Sequence, residues 1–411
     1  MTQVNPARRL ASAVLARVLE RGEWAAPALE AELAARRLDL RDQRLATHLV
    51  YGTLRRVLRL SGLITRFCRR PPSPGLRRAL LLSAFEALGS STPPHALLSQ
   101  YAALLGSGTA RLLRAWLAAL PPSNEELEPA YDLPPWLAEE YRAAYPDCAE
   151  AVMADLELPP PLWLWVAPGG TDRLQREGAQ ILRAVGQVCA VRLPGRLPES
   201  PSYRAGLLQP VNPASAAAVR ALGEVQGRRV LDLAGGRGVK AALLAAEGAS
   251  VLSADLSAGR QRQAGENLRR LGLTAEFHLV DLTESQLGRL PSSERVLLDA
   301  PCSGSGTLRN HPEIKLRLRP GDLAERAALQ ARMLKVAAEL VLPRGRLVYS
   351  VCSVAAAEGP EQVLDFLAEH PDFSLVDPPE TGVPLGPAAA GHYTLALQGV
   401  DSFFLAVLER R

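Results

Sequence analysis

Lysine is almost absent from this chain. Of the 47 lysines and arginines in 411 residues, only Lys240, Lys315 and Lys335 are lysine. An ammonium is a compact point charge that a planar guanidinium does not replace, so Lys240 and Lys315, which fall in the two most motif-rich stretches, are singled out as candidate functional residues. Lys335 sits in a helical pattern and carries no such signal. Cysteine is scarce as well. Cys68, Cys148, Cys189, Cys302 and Cys352 make an odd set with no Cys-x-x-Cys pair, which argues against a disulfide framework and against a metal site, so the expectation is reduced thiols and no bound metal. No apolar run approaches the ~20 residues of a membrane span, and the first eleven residues lack the apolar core of a secretory signal. A cytoplasmic protein without membrane contact is therefore expected.

What is present is unevenly distributed. The net charge is only +4. Residues 1–122 carry 18 basic and 7 acidic residues, a net +11, whereas 123–205 are acidic and 206–411 nearly neutral. A segment that basic attracts polyanions, and nucleic acid is the natural candidate. Its pattern is helical throughout, with Leu10, Val14 and Val18 on one stripe and Leu45, Leu49, Leu54 and Leu58 continuing it, and turn signals at Arg70–Gly75 and Ser91–His95 divide it. An all-α bundle over 1–122 is expected. The stretch 123–205 is Pro-rich and reads as a linker and small α/β subdomain, with a strand in Pro159–Trp165, a helix over Thr171–Val185 and a strand over Val188–Leu193. Trp163 and Trp165 suit packing better than base stacking.

From about Val230 strands and helices alternate, which is the pattern of a doubly wound parallel sheet, and a last strand at Ser402–Leu408 completes it. Residues 206–411 are thus read as one Rossmann-like α/β domain. Its first strand runs into Ala234-Gly235-Gly236-Arg237-Gly238-Val239-Lys240, where glycines let backbone approach a ligand and a helix begins. Asp255 ends the next strand and Asp281 the third, where carboxylates take ribose hydroxyls. Aspartate-terminated strands without Gly-x-Gly-x-x-Gly spacing suit S-adenosylmethionine better than a dinucleotide.

Cys302 lies in Asp299-Ala-Pro-Cys-Ser-Gly-Ser-Gly-Thr307 and Cys352 in Tyr349-Ser-Val-Cys-Ser353, each just after an apolar run. Read as buried strands, those runs put both thiols at strand C-terminal ends, where open α/β sheets place their ligands, with Asp299 between them. One shared site follows. Activated thiols need a polar, partly exposed setting of this kind.

The stretches Asp299–Lys315 and Tyr349–Ser353 resemble the fourth and sixth motifs of the RNA 5-methylcytosine methyltransferases. The whole chain resembles the bacterial Sun/RsmB/Fmu group, ribosomal RNA methyltransferases with a NusB-like N-terminal helical domain, through Arg44–Phe67, Pro93–Ala96, Asp255 with Arg260 and Asn267, Gln209 with Ser215, and Asp401–Phe404. In the Gly-rich loop Ala234, Arg237 and Val239 replace the family's Cys, Pro and second Gly, while Gly238 and Lys240 match. Glu358-Gly-Pro-Glu361 stands where the family has Glu-Glu-Asn, and Trp165 and Ala167 replace an Arg and an Asn. The resemblance implies a multidomain fold: a NusB-like RNA-binding bundle (1–122), a small α/β RNA-binding subdomain (123–205) and a methyltransferase domain (206–411).

It also implies a chemistry. Carbon 5 of cytosine is too weak a nucleophile to accept a methyl group unaided, so a thiolate first adds to carbon 6. The resemblance assigns that thiolate to Cys352, base binding to Asp299 and assistance in release to Cys302. Lys240 and Lys315 are candidates for orienting Asp299 and lowering a thiol pKa. The expected cofactor is S-adenosylmethionine, the expected partner small-subunit (16S) ribosomal RNA, and the chain is expected to act as a monomer. Two alternatives stay open: a DNA cytosine methyltransferase using Cys302 as nucleophile, and an RNA-binding or ribosome-assembly factor with an inactive methyltransferase domain.

Overall fold

The computed structural model describes residues 4–123, 127, 130–283 and 290–411, so part of the expected linker, 124–126 and 128–129, lies outside the described residues. The chain forms two compact units. One comprises residues up to Leu137 together with Leu156–Pro159 and Leu308–Arg317, and the other comprises Ala138–Asp155, Pro160–Thr307 and Leu318–Arg411.

The first unit is helical, as its periodicity predicts: α1 Pro6–Arg21, α2 Ala25–Ala34, α3 Leu40–Arg55, α4 Val57–Phe67, α5 Pro74–Gly89, α6 Pro94–Leu105 and α7 Ala110–Ala118. Asn5 starts α1 by accepting the Ala7 N–H at 2.9 Å, and Gly22 ends it in the left-handed region at φ 70°. The stripe Leu10, Val14 and Val18 is buried with Leu49, Leu54, Leu80 and Trp116 in one core. Three helix ends are closed by residues far away in sequence. Asp132 accepts the Arg59 N–H at 2.7 Å and the Leu58 N–H at 3.2 Å, capping α4, whose own N-cap residue Arg56 has no capping side chain. Glu313 accepts the Ala25 N–H at 2.9 Å at the start of α2. Lys315 donates to the Arg55 carbonyl at 2.7 Å at the end of α3 and forms an ion pair with Asp132. Acids at helix starts and a cation at a helix end match the helix dipoles as well as the unpaired backbone groups.

The second unit holds two sheets. After α8 (Pro135–Ala144), which begins in the first unit, and α9 (Ala149–Asp155) comes a small antiparallel sheet of order β2-β3-β1-β4, with β1 Leu162–Val166, α10 Gly170–Arg176, β2 Gln180–Val185, β3 Val188–Arg192, α11 Pro201–Arg204 and β4 Leu208–Pro210. The helix expected to reach Val185 stops at Arg176. Gly178 at φ 81° turns the chain, and Gln180–Val185 alternates in exposure and pairs with β3 as a strand. Trp163 and Trp165 are buried and donate to Gly399 O and Gln187 Oε1, both at 2.9 Å, so packing is their use here.

The large sheet follows: α12 Pro213–Arg220, β5 Arg229–Leu233, α13 Val239–Ala246, β6 Ser250–Asp255, α14 Ala258–Leu271, β7 Glu276–Leu279, β8 Ser293–Asp299, α15 Pro320–Glu339, β9 Val341–Val351, α16 Pro360–Glu369, β10 Phe373–Val376, β11 Leu385–Ala388, β12 Gly391–Thr394 and β13 Phe404–Arg410. Strands β7-β6-β5-β8-β9 are parallel, as expected. The last strand is not: β13 runs antiparallel to β9, and β10, β11 and β12 extend that edge in antiparallel pairs. The strand order reverses at β5 and β8, so a crevice opens beyond their C-terminal ends. Among the described residues no helix is long and apolar enough to cross a membrane.

Candidate active site

Strand β5 ends at Leu233 and the chain turns through Ala234, Gly236 and Gly238, all with positive φ, into α13. Gly235 has no alternative: a Cβ there would collide with Ser253 Oγ and the Asp232 carboxylate. Asp232 is fully buried, accepts one hydrogen bond from Ser253 Oγ at 3.0 Å, and has an Oδ1 without a partner among the described residues. Burial, opposed by the Ser253 bond and the charge of Lys240, pushes its carboxyl up to about 7. The cleft over this loop has a volume of about 340 Å³ and is lined by Asn212, Ser215, Asp232, Ala234, Gly235, Gly236, Arg237, Val239, Lys240 and Asp299.

Asp255 closes the loop from behind. Its Oδ2 accepts the Gly236 N–H at 3.0 Å, its Oδ1 the Ser257 N–H at 2.7 Å, and Arg260 lies 3.8 Å away. It holds the turn's shape and is not among the residues lining the cleft. Asp281 lies two residues past β7, where it accepts from the Thr283 N–H and Oγ at 2.8 and 2.7 Å; those bonds hold its carboxyl below the usual range.

Asp299 ends β8 and Cys352 follows β9 directly. Lys240 donates to Asp299 Oδ2 at 2.6 Å and its ammonium lies 5.4 Å from the Phe403 ring centre. The two sulfurs of Cys302 and Cys352, expected to share a site, are 3.0 Å apart, and both residues are half-buried. The hydrogen bond with Cys352, then burial, then the charges of Cys352 and Glu358 hold the Cys302 thiol well above its ordinary value.

The two thiol turns are tied together by groups that the sequence reading did not assign. The fully buried carboxylate of Glu358 accepts the Ser303 N–H at 2.8 Å, the Gln330 Nε2 at 2.9 Å and the Ser353 Oγ at 2.6 Å. Ser305 Oγ is 2.9 Å from Ser353 Oγ, and the Gly306 N–H donates to the Cys352 carbonyl at 3.0 Å. The signal in the sequence was the pairing of each cysteine with following serines, together with one acid six residues after Cys352.

Lys315 requires a correction. It was expected to orient Asp299, but Asp299 takes Lys240, and the Lys315 ammonium is committed to Asp132 and the Arg55 carbonyl within the helical unit. Both partners of that pair are almost wholly buried, and burial pulls the Lys315 ammonium below its ordinary value despite the opposing charge of Asp132.

Known proteins match this arrangement over its whole length. The 16S rRNA methyltransferase RsmB/F family matches residues 219–409, and the NusB family matches residues 5–106. The ribosomal RNA small subunit methyltransferase B of Thermus thermophilus is 39% identical over 98% of this chain and 97% of its own, and that of Klebsiella pneumoniae subsp. pneumoniae is 30% identical over 98% of each. Among solved structures, PH0851 shares the fold across the full length of both chains at a TM-score of 0.80 and 23% identity. NSun6 from Pyrococcus horikoshii, solved with SFG, shares it over 67% of this chain and 98% of its own at a TM-score of 0.59 and 17% identity. With a relative this similar along nearly its entire sequence, the chain belongs to the RsmB/F family of 16S rRNA methyltransferases, with a NusB-family region ahead of the α/β unit.

Proposed function

We propose that the chain transfers a methyl group from S-adenosylmethionine to carbon 5 of an unpaired cytosine in small-subunit ribosomal RNA, through a transient bond between Cys352 and carbon 6 of the base. The observation that carries this reading is the pair of sulfurs 3.0 Å apart at the ends of adjacent parallel strands, with the Asp299–Lys240 pair at the end of one of them. The cleft fits the cofactor: Gly235 leaves room for backbone to approach a ligand, and the buried Asp232 Oδ1 is an unused acceptor beneath it. Asn212, Ser215 and the 235–238 loop would hold S-adenosylmethionine, with Asp255 fixing the loop. Bound there, it supplies an electrophilic methyl group.

The residues divide the remaining work. Cys302, whose thiol is held well above its ordinary value, is the thiol that keeps its proton in this reading, and Cys352, 3.0 Å from it, is the attacking group. Once Cys352 has lost its proton to solvent, its sulfur bonds to carbon 6 and the displaced electron pair makes carbon 5 nucleophilic. Asp299, held by Lys240, would bind the edge of the ring at nitrogen 3 and the exocyclic amine, where charge changes during addition. After methyl transfer the carbon 5 proton passes to solvent, the electrons of that C–H bond re-form the carbon 5–carbon 6 double bond, and the carbon–sulfur bond breaks with its electron pair leaving on sulfur, which restores the aromatic ring and the Cys352 thiolate. Cys302 assists that release.

The test separates the two thiols. Cys352→Ala should reduce methylation to background and form no covalent complex. Cys302→Ala should accumulate protein joined to RNA that survives denaturing electrophoresis. Reversed outcomes would assign attack to Cys302, the mechanism expected of a DNA-type enzyme. Failure of the wild-type chain to bind S-adenosylmethionine by calorimetry would favour an RNA-binding factor with an inactive domain.

A further inference from the structure

The helical unit carries a groove that the methyl-transfer site does not use. It has a volume of about 470 Å³, within the range of roughly 300–1,000 Å³ typical of ligand pockets. Its floor is apolar, formed by Phe67, Leu76 and Leu112, and Arg69, Arg70 and Arg111 stand on its rim, all three exposed. None of these arginines has a carboxylate partner among the described residues. From Val57 to Leu120 the only acid is Glu86, and it is buried against Arg8 and Tyr101. Two more exposed arginines, Arg66 and Arg114, flank the same elements, Arg114 one turn along α7 from Arg111.

An apolar floor ringed by unpaired guanidinium groups has a specific chemical complement. Each guanidinium can take a phosphate oxygen in a forked hydrogen-bond pair and lie flat on a base. The floor can accept a base only if that base is not already stacked in a duplex. We infer that this groove binds an unpaired segment of RNA, with phosphates on Arg69, Arg70 and Arg111 and one base on Phe67, Leu76 and Leu112. The inference rests on the reading of the chain as an rRNA methyltransferase, and it places a second RNA contact in the helical unit. Charge decides between occupants: a rim with three free positive charges and no acid favours a polyanion with planar groups.

The test uses the full-length chain with Arg69→Ala, Arg70→Ala and Arg111→Ala combined. All three residues are exposed, so melting temperature and S-adenosylmethionine affinity should stay at wild-type values. The probe is a fluorescent single-stranded oligoribonucleotide, with a duplex of the same length beside it. The variant should bind the single strand roughly tenfold more weakly at moderate salt, and the slope of log affinity against log salt should fall by about 2, since each phosphate contact on a single strand contributes about 0.7. Cys68, half-buried in the groove wall, gives an independent readout. Its alkylation by iodoacetamide, mapped by peptide mass, should slow when the single strand is bound to wild type.

An unchanged salt slope with unprotected Cys68 overturns the proposal. Protection by an acidic peptide and not by RNA reassigns the groove to a protein partner, and equal binding of duplex and single strand removes the base from the floor. Methylation of 16S rRNA by wild type is scored in parallel. A groove that binds RNA in a chain that methylates none would sink the enzymatic reading and leave the groove standing; the converse would do the opposite.

Discussion

Lys240 and Lys315 look alike in the sequence and do opposite work in the fold. Lys240 reaches Asp299 at 2.6 Å, where the side chain of Asp299 is 29% exposed and faces the cleft. Lys315, sixteen residues beyond Asp299, is buried against Asp132 in the helical unit, where it closes helix ends. A single motif-rich stretch, Asp299–Lys315, is therefore divided between the two units at Thr307. Its first half carries a thiol and its second half is architecture. Adjacency in the chain says nothing about which of the two a charged residue serves; the burial of its partner does.

The largest expected effect would sharpen that contrast. Lys315→Met strands Asp132 as an uncompensated buried charge, which costs about 3–5 kcal/mol. Thermal denaturation should show the loss, and adding Asp132→Leu should recover a good part of it. Lys240→Met should leave the melting temperature nearly unaltered and remove most methylation, because Asp299 keeps its access to water while losing its orienting cation. If Lys240→Met unfolds the chain and Lys315→Met merely slows methyl transfer, the comparison is inverted.

A smaller effect is expected at Asp255. Its replacement by alanine removes the acceptor of the Gly236 N–H, and S-adenosylmethionine affinity should drop by about 1.5–3 kcal/mol, as for a lost charge-assisted hydrogen bond. Calorimetric titration reads it directly, and wild-type affinity in the variant would take Asp255 out of the loop's support.

The smallest effect concerns pH. Asp232 holds its proton up to about pH 7 in the folded state, against a value of 3.8 when unperturbed. Stability from this group is thus complete below about pH 4 and drains away as pH climbs through 7. Urea denaturation of cofactor-free protein should show lower stability at pH 8 than at pH 5, and Asp232→Asn should flatten part of that slope. An identical slope in the variant would mean that other groups govern it.

Strand spans such as Arg229–Leu233 and Ser250–Asp255 were legible because a buried parallel strand reads as a short, mostly apolar run, here with Asp232 and Asp255 at or next to its end. The meeting of Cys302 and Cys352 was legible for the same reason, since both follow such runs. Three things were not. Asp132 and Lys315 are 183 residues apart, and no periodicity links them. Strands β10, β11 and β12 are four residues each, and Gly386, Pro387 and Gly391 interrupt their pattern. Glu358 was read as part of an altered motif, because a buried acid is recognisable only once the serines and the glutamine that satisfy it are assembled around it.

The contribution of Leu308–Arg317 to the helical unit has a consequence during synthesis. Chains emerge from the ribosome N-terminus first at about 5–20 residues per second, and domains generally fold in that order. Here the caps of α2 and α4 depend on Glu313 and on the Lys315-bound Asp132, so the bundle must wait for roughly 200 further residues, some 10–40 s at those rates, before its last charges are neutralised. Until then the Ala25 N–H at the start of α2 and the Arg55 carbonyl at the end of α3 lack these side-chain partners, and much of the α/β unit's sequence is synthesised before the helical unit can finish.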